Sequence, residues 1–107
     1  MAVYRITIKT APPGASPRVT FDPNPLLVTQ GDQIFWGNED SKPHRLGLKT
    51  NSGVDDSFFM GHPIASDGDT SSTFSTSVVG DLTYVCTLGA GHENETGTIK
   101  VSKLPGS

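Results

Sequence analysis

Apolar and polar positions alternate along this chain in short runs, each closed by glycine, proline, asparagine or aspartate. A period of two marks a strand with one buried face, and no helical period lasts even two turns. "VYRITIK" (3–9) alternates in this way, and Val3, Ile6 and Ile8 are the positions expected to be buried. "TAPPGASP" (10–17) is a Pro-Gly loop. "RVTFDPNPLLVT" (18–29) gives two strand pieces broken at Pro23 and Pro25, since proline cannot donate to a ladder. After the turn "QGD" (30–32), "QIFWGNED" (33–40) is a strong strand. Trp36 is expected in the core, with a partner for its indole N–H. "HRLGLKT" (44–50) follows, with Leu46, Leu48 and His44 on one side.

From Asn51 to Gly68 the alternation dissolves into a long excursion, with room for one short strand or one turn of helix. "TSSTFSTSVV" (70–79) is expected as a Thr/Ser-rich strand around Phe74. "LTYVCT" (82–87) alternates cleanly and sets Leu82, Tyr84 and Cys86 on one face. "ETGTIKVSK" (95–103) closes the chain's strand pattern. Turn signals at this spacing predict an all-β sandwich of seven or eight strands, roughly one strand per turn signal. No βαβ unit is present, so a doubly wound α/β fold is excluded. The length of 107 residues fits one domain spanning 1–107.

Charge narrows the function. Eight Lys and Arg against eleven Asp and Glu leave a net charge of −3, with no basic stripe to track a phosphate backbone. No apolar run approaches the ~20 residues of a membrane helix. The opening "MAVYRITIKT" lacks the charged head, apolar stretch and small-residue site of a signal peptide. Either a cytoplasmic chain or a mature form begun at a new methionine fits that start.

The single cysteine cannot form an internal disulfide. Cys86 is therefore a buried small hydrophobe, a reactive thiol or a metal ligand. His92 follows it across "TLGAG", and Glu95 stands three residues further on. A thiolate with two imidazoles makes a soft, compact metal site, and a trigonal His₂Cys set with a weak axial group is the blue-copper arrangement. His44, at a strand start directly after Pro43, is the candidate for the second imidazole. Each residue also has a bland role: His44 at a capped strand end, His92 as a solvated loop histidine, Glu95 as a solvent carboxylate. His62 in "FMGHPI" is expected to be a loop histidine, and "SDGDTSS" (66–72) lacks calcium-loop spacing. Asn94-Glu95-Thr96 matches a glycosylation sequon, but its place beside the metal loop argues against modification.

Two stretches resemble the cupredoxin family. "QIFWGNEDSKPHRL" is similar to its Trp-containing strand followed by Asn, Asp and a ligand histidine after proline. "YVCT...GH...TGTIKV" is similar to its closing segment of aromatic strand, ligand Cys, Gly-His loop and final strand. "FDPNPLLVTQGDQIFW" also fits, so the resemblance covers roughly residues 3 to 102. It implies a Greek-key β-sandwich holding one copper, cycling between Cu(I) and Cu(II). By the same resemblance His44, Cys86 and His92 are the equatorial metal ligands, and Asn38 helps hold His44 by hydrogen bonds. The family places an axial Met in this last loop, whereas here the slot aligns with Glu95. Met60 lies in the excursion and is a poor axial candidate. The site is then His₂Cys with Glu95, or His₂Cys with no strong axial ligand.

The resemblance implies an electron-transfer protein rather than an enzyme, monomeric, with a redox protein as partner and a periplasmic or other extracytoplasmic setting. Zinc competes for the same ligands where copper is scarce. A second expectation is a red-copper or type-2-like site with an open position for a small molecule. A third is a metal-free sandwich that binds other proteins.

Overall fold

A computed structural model describes residues 2–14, 19–87 and 95–103. Among these residues there is no helix, and hence none long and apolar enough to cross a membrane. Ten strands form two sheets. In the first, β1 (Val3–Thr10) lies between β2 (Val19–Asp22) and β4 (Gln33–Asn38). The short β7 (Asp69–Thr70) and β8 (Phe74–Ser75) cover the far edge of β4. The second sheet runs β3 (Leu26–Thr29), β10 (Thr96–Ser102), β9 (Gly80–Cys86), β5 (Leu46–Thr50), β6 (Gly53–Asp55). The pairs β1–β4 and β3–β10 are parallel, and the other pairs are antiparallel. The chain passes from one sheet to the other between β2 and β3, then back again before β4. The result is the all-β sandwich that the alternation predicts.

The long strands send alternate positions inward. Ile6 and Ile8 of β1, Ile34 and Trp36 of β4, Tyr84 of β9 and Ile99 of β10 are fully buried. Val3 is not, at 57% exposure. It is out of phase with Ile6 and Ile8, and a period of two sends an odd position to the opposite face.

At the centre Trp36 from one sheet meets Tyr84 from the other, ring centroids 5.5 Å apart and planes at 81°. Phe21 packs on Tyr84 at 4.9 Å and Phe59 on Trp36 at 5.2 Å, both edge to face. Such pairs add about 0.5–1.5 kcal/mol each beyond the area they bury. The expected partner for the Trp36 indole N–H is absent among the described residues, and the Tyr84 hydroxyl also makes no hydrogen bond. Burial pushes that hydroxyl well above its usual range, and the nearby Trp36 indole N–H, outside hydrogen-bond geometry, offsets this only in part.

The strand expected at 70–79 is instead two pieces that stop at Ser75. Gly37 pairs with Thr70, but Ile34 pairs with Phe74, so two residues of β4 face three of the edge segment. That is a bulge, and bulges break pairing at sheet edges. Ser71 sits at the break: its N–H donates to the Trp36 carbonyl and its hydroxyl accepts from the Trp36 backbone N–H. Val78 and Val79 lie beyond the strand and are exposed. The excursion at 51–68 contains β6, a hairpin partner of β5, and it also contributes Phe59, Met60 and Ile64 to the core. These short elements account for the strands beyond the expected seven or eight.

Gly97 pairs with Tyr84, and a Cβ on Gly97 would overlap the Tyr84 hydroxyl and the ring carbon that carries it. Gly97→Ala should cost about 1–3 kcal/mol of stability by overpacking. A denaturant titration with an unchanged midpoint would refute this.

Asp32 accepts from the backbone N–H of Ala2 and of Thr29, at 2.9 Å each. The Ala2 amide and then the Thr29 amide hold its carboxyl below the usual range, against the effect of burial. With the folded value below the unfolded one, this stabilisation is complete above about pH 4. It is lost as pH falls through the folded value. Asp32→Ala should therefore lower the unfolding midpoint at neutral pH, and the gap to wild type should close in acid. A gap that acid leaves unchanged contradicts this.

Candidate metal centre

The alternation that buries Trp36 and Tyr84 also places the next inward positions, Asn38 and Cys86, at the ends of β4 and β9. Both are buried, Asn38 completely. Asn38 then organises the loops around it. Its Nδ2 donates to the carbonyls of Lys42, Ile64 and Ala65 at 2.8, 3.3 and 3.2 Å. Its Oδ1 accepts from the Asp40 N–H at 3.0 Å. One amide side chain thus ties the loop before β5 to the loop after Met60. His44 completes the tie by exchanging two backbone bonds with Ile64, at 3.1 and 2.7 Å.

Fixed at both ends, His44 points its ring into the protein with 1% exposure. Its Nδ1 lies 3.4 Å from Cys86 Sγ and 3.7 Å from Glu95 Oε1. Its Nε2 lies 2.8 Å from Asp40 Oδ2. Asp40 is held in turn by the Thr10 hydroxyl, which donates to Oδ1. Burial opposes ionisation of Asp40, but the Thr10 hydroxyl, the His44 ring and the Ser41 amide outweigh it, so its carboxyl sits below the usual range.

Cys86 pairs with Leu46, and the neighbouring Thr87 N–H donates to the Arg45 carbonyl at 2.8 Å. The Cys86 N–H donates to the Glu95 carbonyl at 3.1 Å, which sets Glu95 beside the thiol. Glu95 is not a solvent carboxylate: it is 1% exposed.

The structure therefore brings three of the four candidate residues together. The donor atoms of His44, Cys86 and Glu95 are buried and all lie within 4.8 Å of one another. A thiolate sulfur, an imidazole nitrogen and a carboxylate oxygen so placed could reach one ion together, and the donor set suits a thiophilic first-row metal. His92, the fourth candidate, lies outside the described residues, as does Asn94 of the sequon. His62 is exposed. The sulfur of Met60 accepts from the Leu46 N–H at 3.5 Å.

The resemblance implies that Asn38 holds His44, and it does so through the loop backbone rather than at the ring. Asp40 and Thr10 have no role in that expectation. An aspartate four residues before a candidate ligand histidine was the available signal for Asp40; nothing local marks Thr10.

A cavity of about 270 Å³ opens beside this cluster. Thr10, Pro12, Lys42 and Asp40 form its walls, and His44 and Glu95 line it.

No protein-family model and no curated protein matches the chain. Solved structures do. A purple cupredoxin from Nitrosopumilus maritimus is 23% identical with a TM-score of 0.74, over 92% of this chain and 99% of that one. Amicyanin from Paracoccus versutus is 19% identical with a TM-score of 0.67, over 94% and 81%. A multicopper oxidase is 21% identical with a TM-score of 0.60, over 95% of this chain but only 39% of its own.

Proposed function

We propose that this chain, whose fold is that of the cupredoxins, is a copper-binding electron-transfer protein. The observation that carries the proposal is the buried convergence of His44 Nδ1, Cys86 Sγ and a Glu95 oxygen. Copper would be held by His44, Cys86 and Glu95, with His92 as the second imidazole. Copper, when bound, supplies a one-electron couple between Cu(I) and Cu(II).

The chain's own residues supply a fixed cage. Cys86 sits on a paired strand, His44 on a loop bonded at both ends, and Glu95 on the backbone bond to Cys86. A cage held this way changes little between oxidation states, which keeps electron exchange fast. Glu95 is hard and anionic, so it favours Cu(II) over Cu(I) and lowers the potential relative to a thioether in the same slot. In the sequence His92 follows the small uncharged run Gly89-Ala90-Gly91, and as a ligand it would pass electrons to a redox protein. The chain acts as a monomeric carrier rather than an enzyme, in a periplasmic or other extracytoplasmic setting.

One observation favours a second reading, a red-copper or type-2-like site open to a small molecule. The cavity of about 270 Å³ reaches both His44 and Glu95. An open position at a metal is what catalysis requires. The two readings part on spectra: an intense thiolate charge-transfer band marks the trigonal site, and its loss on adding a small anion such as azide marks the open one.

Loading with Cu(II) should give one copper per chain and a strong visible band. Cys86→Ser should abolish that band while cooperative unfolding persists, since Cys86 lies in the core but serine is nearly isosteric and leaves the Trp36–Tyr84 packing in place. A visible band that survives Cys86→Ser overturns the assignment, and a wild-type chain that takes up no copper overturns the function. Glu95→Gln should raise the reduction potential and move the spectrum toward pure blue. If it changes neither, Glu95 is not a ligand.

A further inference from the structure

We propose that Asp40 is a positioning residue that fixes the tautomer of His44 and strengthens it as a metal donor. The inference rests on the copper reading above and concerns residues which that reading does not use.

Asp40 Oδ2 lies 2.8 Å from His44 Nε2, and both side chains are buried. Two arrangements of one proton are open to a neutral imidazole. With the proton on Nε2, the ring donates a charge-assisted hydrogen bond to the carboxylate. With the proton on Nδ1, the Nε2 lone pair would face a carboxylate oxygen across 2.8 Å, two acceptors in contact without water. The first arrangement wins, and it leaves the Nδ1 lone pair aimed at the space shared with Cys86 Sγ and Glu95 Oε1. A carboxylate behind the ring orients it through this bond, as in carboxylate–histidine–metal triads.

The carboxylate is itself immobile. Thr10 donates to its other oxygen, the Asp40 N–H donates to Asn38 Oδ1, and the Asp67 N–H donates to the Asp40 carbonyl at 3.0 Å. Thr10 ends β1, so the first sheet reaches the cluster through Thr10, Asp40 and His44 in series. Thr10 competes with the imidazole for the charge on Asp40. Removing its hydroxyl should strengthen the bond to His44, and removing the charge on Asp40 should weaken it. The two substitutions therefore act in opposite directions, which a merely structural role for Asp40 would not produce.

The test compares wild type, Asp40→Asn and Thr10→Val. In the metal-free chains, nitrogen-15 chemical shifts of the His44 ring report the tautomer. Wild type should carry its proton on Nε2, and a proton on Nδ1 overturns the proposal. In the copper-loaded chains, Asp40→Asn should weaken Cu(II) binding by about 10- to 100-fold. Each tenfold loss confined to Cu(II) raises the potential by about 59 mV. Thr10→Val should lower the potential. If Asp40→Asn lowers thermal stability but leaves the ratio of Cu(II) to Cu(I) affinity unchanged, Asp40 only braces the loop and the proposal falls. Should Asp40→Asn not fold, a Thr10→Val potential equal to wild type overturns it instead. Failure of wild type to bind copper removes the copper reading, and the tautomer measurement then decides this inference alone.

Discussion

Trp36 and Tyr84 meet edge to face between the sheets, and the placement of the candidate site follows from that contact. It fixes which face of β4 and which face of β9 look inward. Once those faces are fixed, a period of two carries each strand from its aromatic residue to its last inward position. On β4 that position is Asn38 and on β9 it is Cys86. A register slip of one residue in either strand would turn the amide or the thiol outward. Gly97 belongs to the same constraint, because the Tyr84 ring occupies the space its side chain would fill. Packing at the centre and chemistry at the end of the sandwich are thus one decision made in the sequence.

Around the cluster, polar groups do what apolar packing cannot. Asn38 satisfies three loop carbonyls and so holds two loops without regular structure. Asp40 fixes the ring of His44, and the Glu95 carbonyl meets the Cys86 amide. Buried polar groups of this kind are costly when unpaired and rigid when paired. The neighbours of this fold include a small purple cupredoxin and a far larger multicopper oxidase. The sandwich alone therefore does not choose between carrying electrons and catalysis; the donor set and the access to it do.

Much of this was legible in the chain because it rests on period and spacing. The strands around Ile6, Trp36, Tyr84 and Ile99 alternate strongly, and each forms where the pattern puts it. Val3 is apolar yet exposed, because its phase relative to Ile6 and Ile8 outweighs its hydrophobicity. The segment at 69–75 was illegible as two pieces because its bulge arises from pairing with β4, a partner far away in sequence. Cys86 and His44 stood out by residue type, and their meeting across 3.4 Å matches the pairing of β5 with β9. Burial of Glu95 depends on a backbone bond across a loop, which no local signal encodes. Asp40 was visible as a residue but not as a partner, since its role exists only once His44 turns inward.

The proposed site holds one copper through the sulfur of Cys86 together with imidazole nitrogen. X-ray absorption at the copper edge of the loaded protein reads that donor set. A chain carrying one copper should show a single short copper–sulfur vector, accompanied by imidazole scattering. Copper surrounded by nitrogen and oxygen alone, with no sulfur vector, would contradict it.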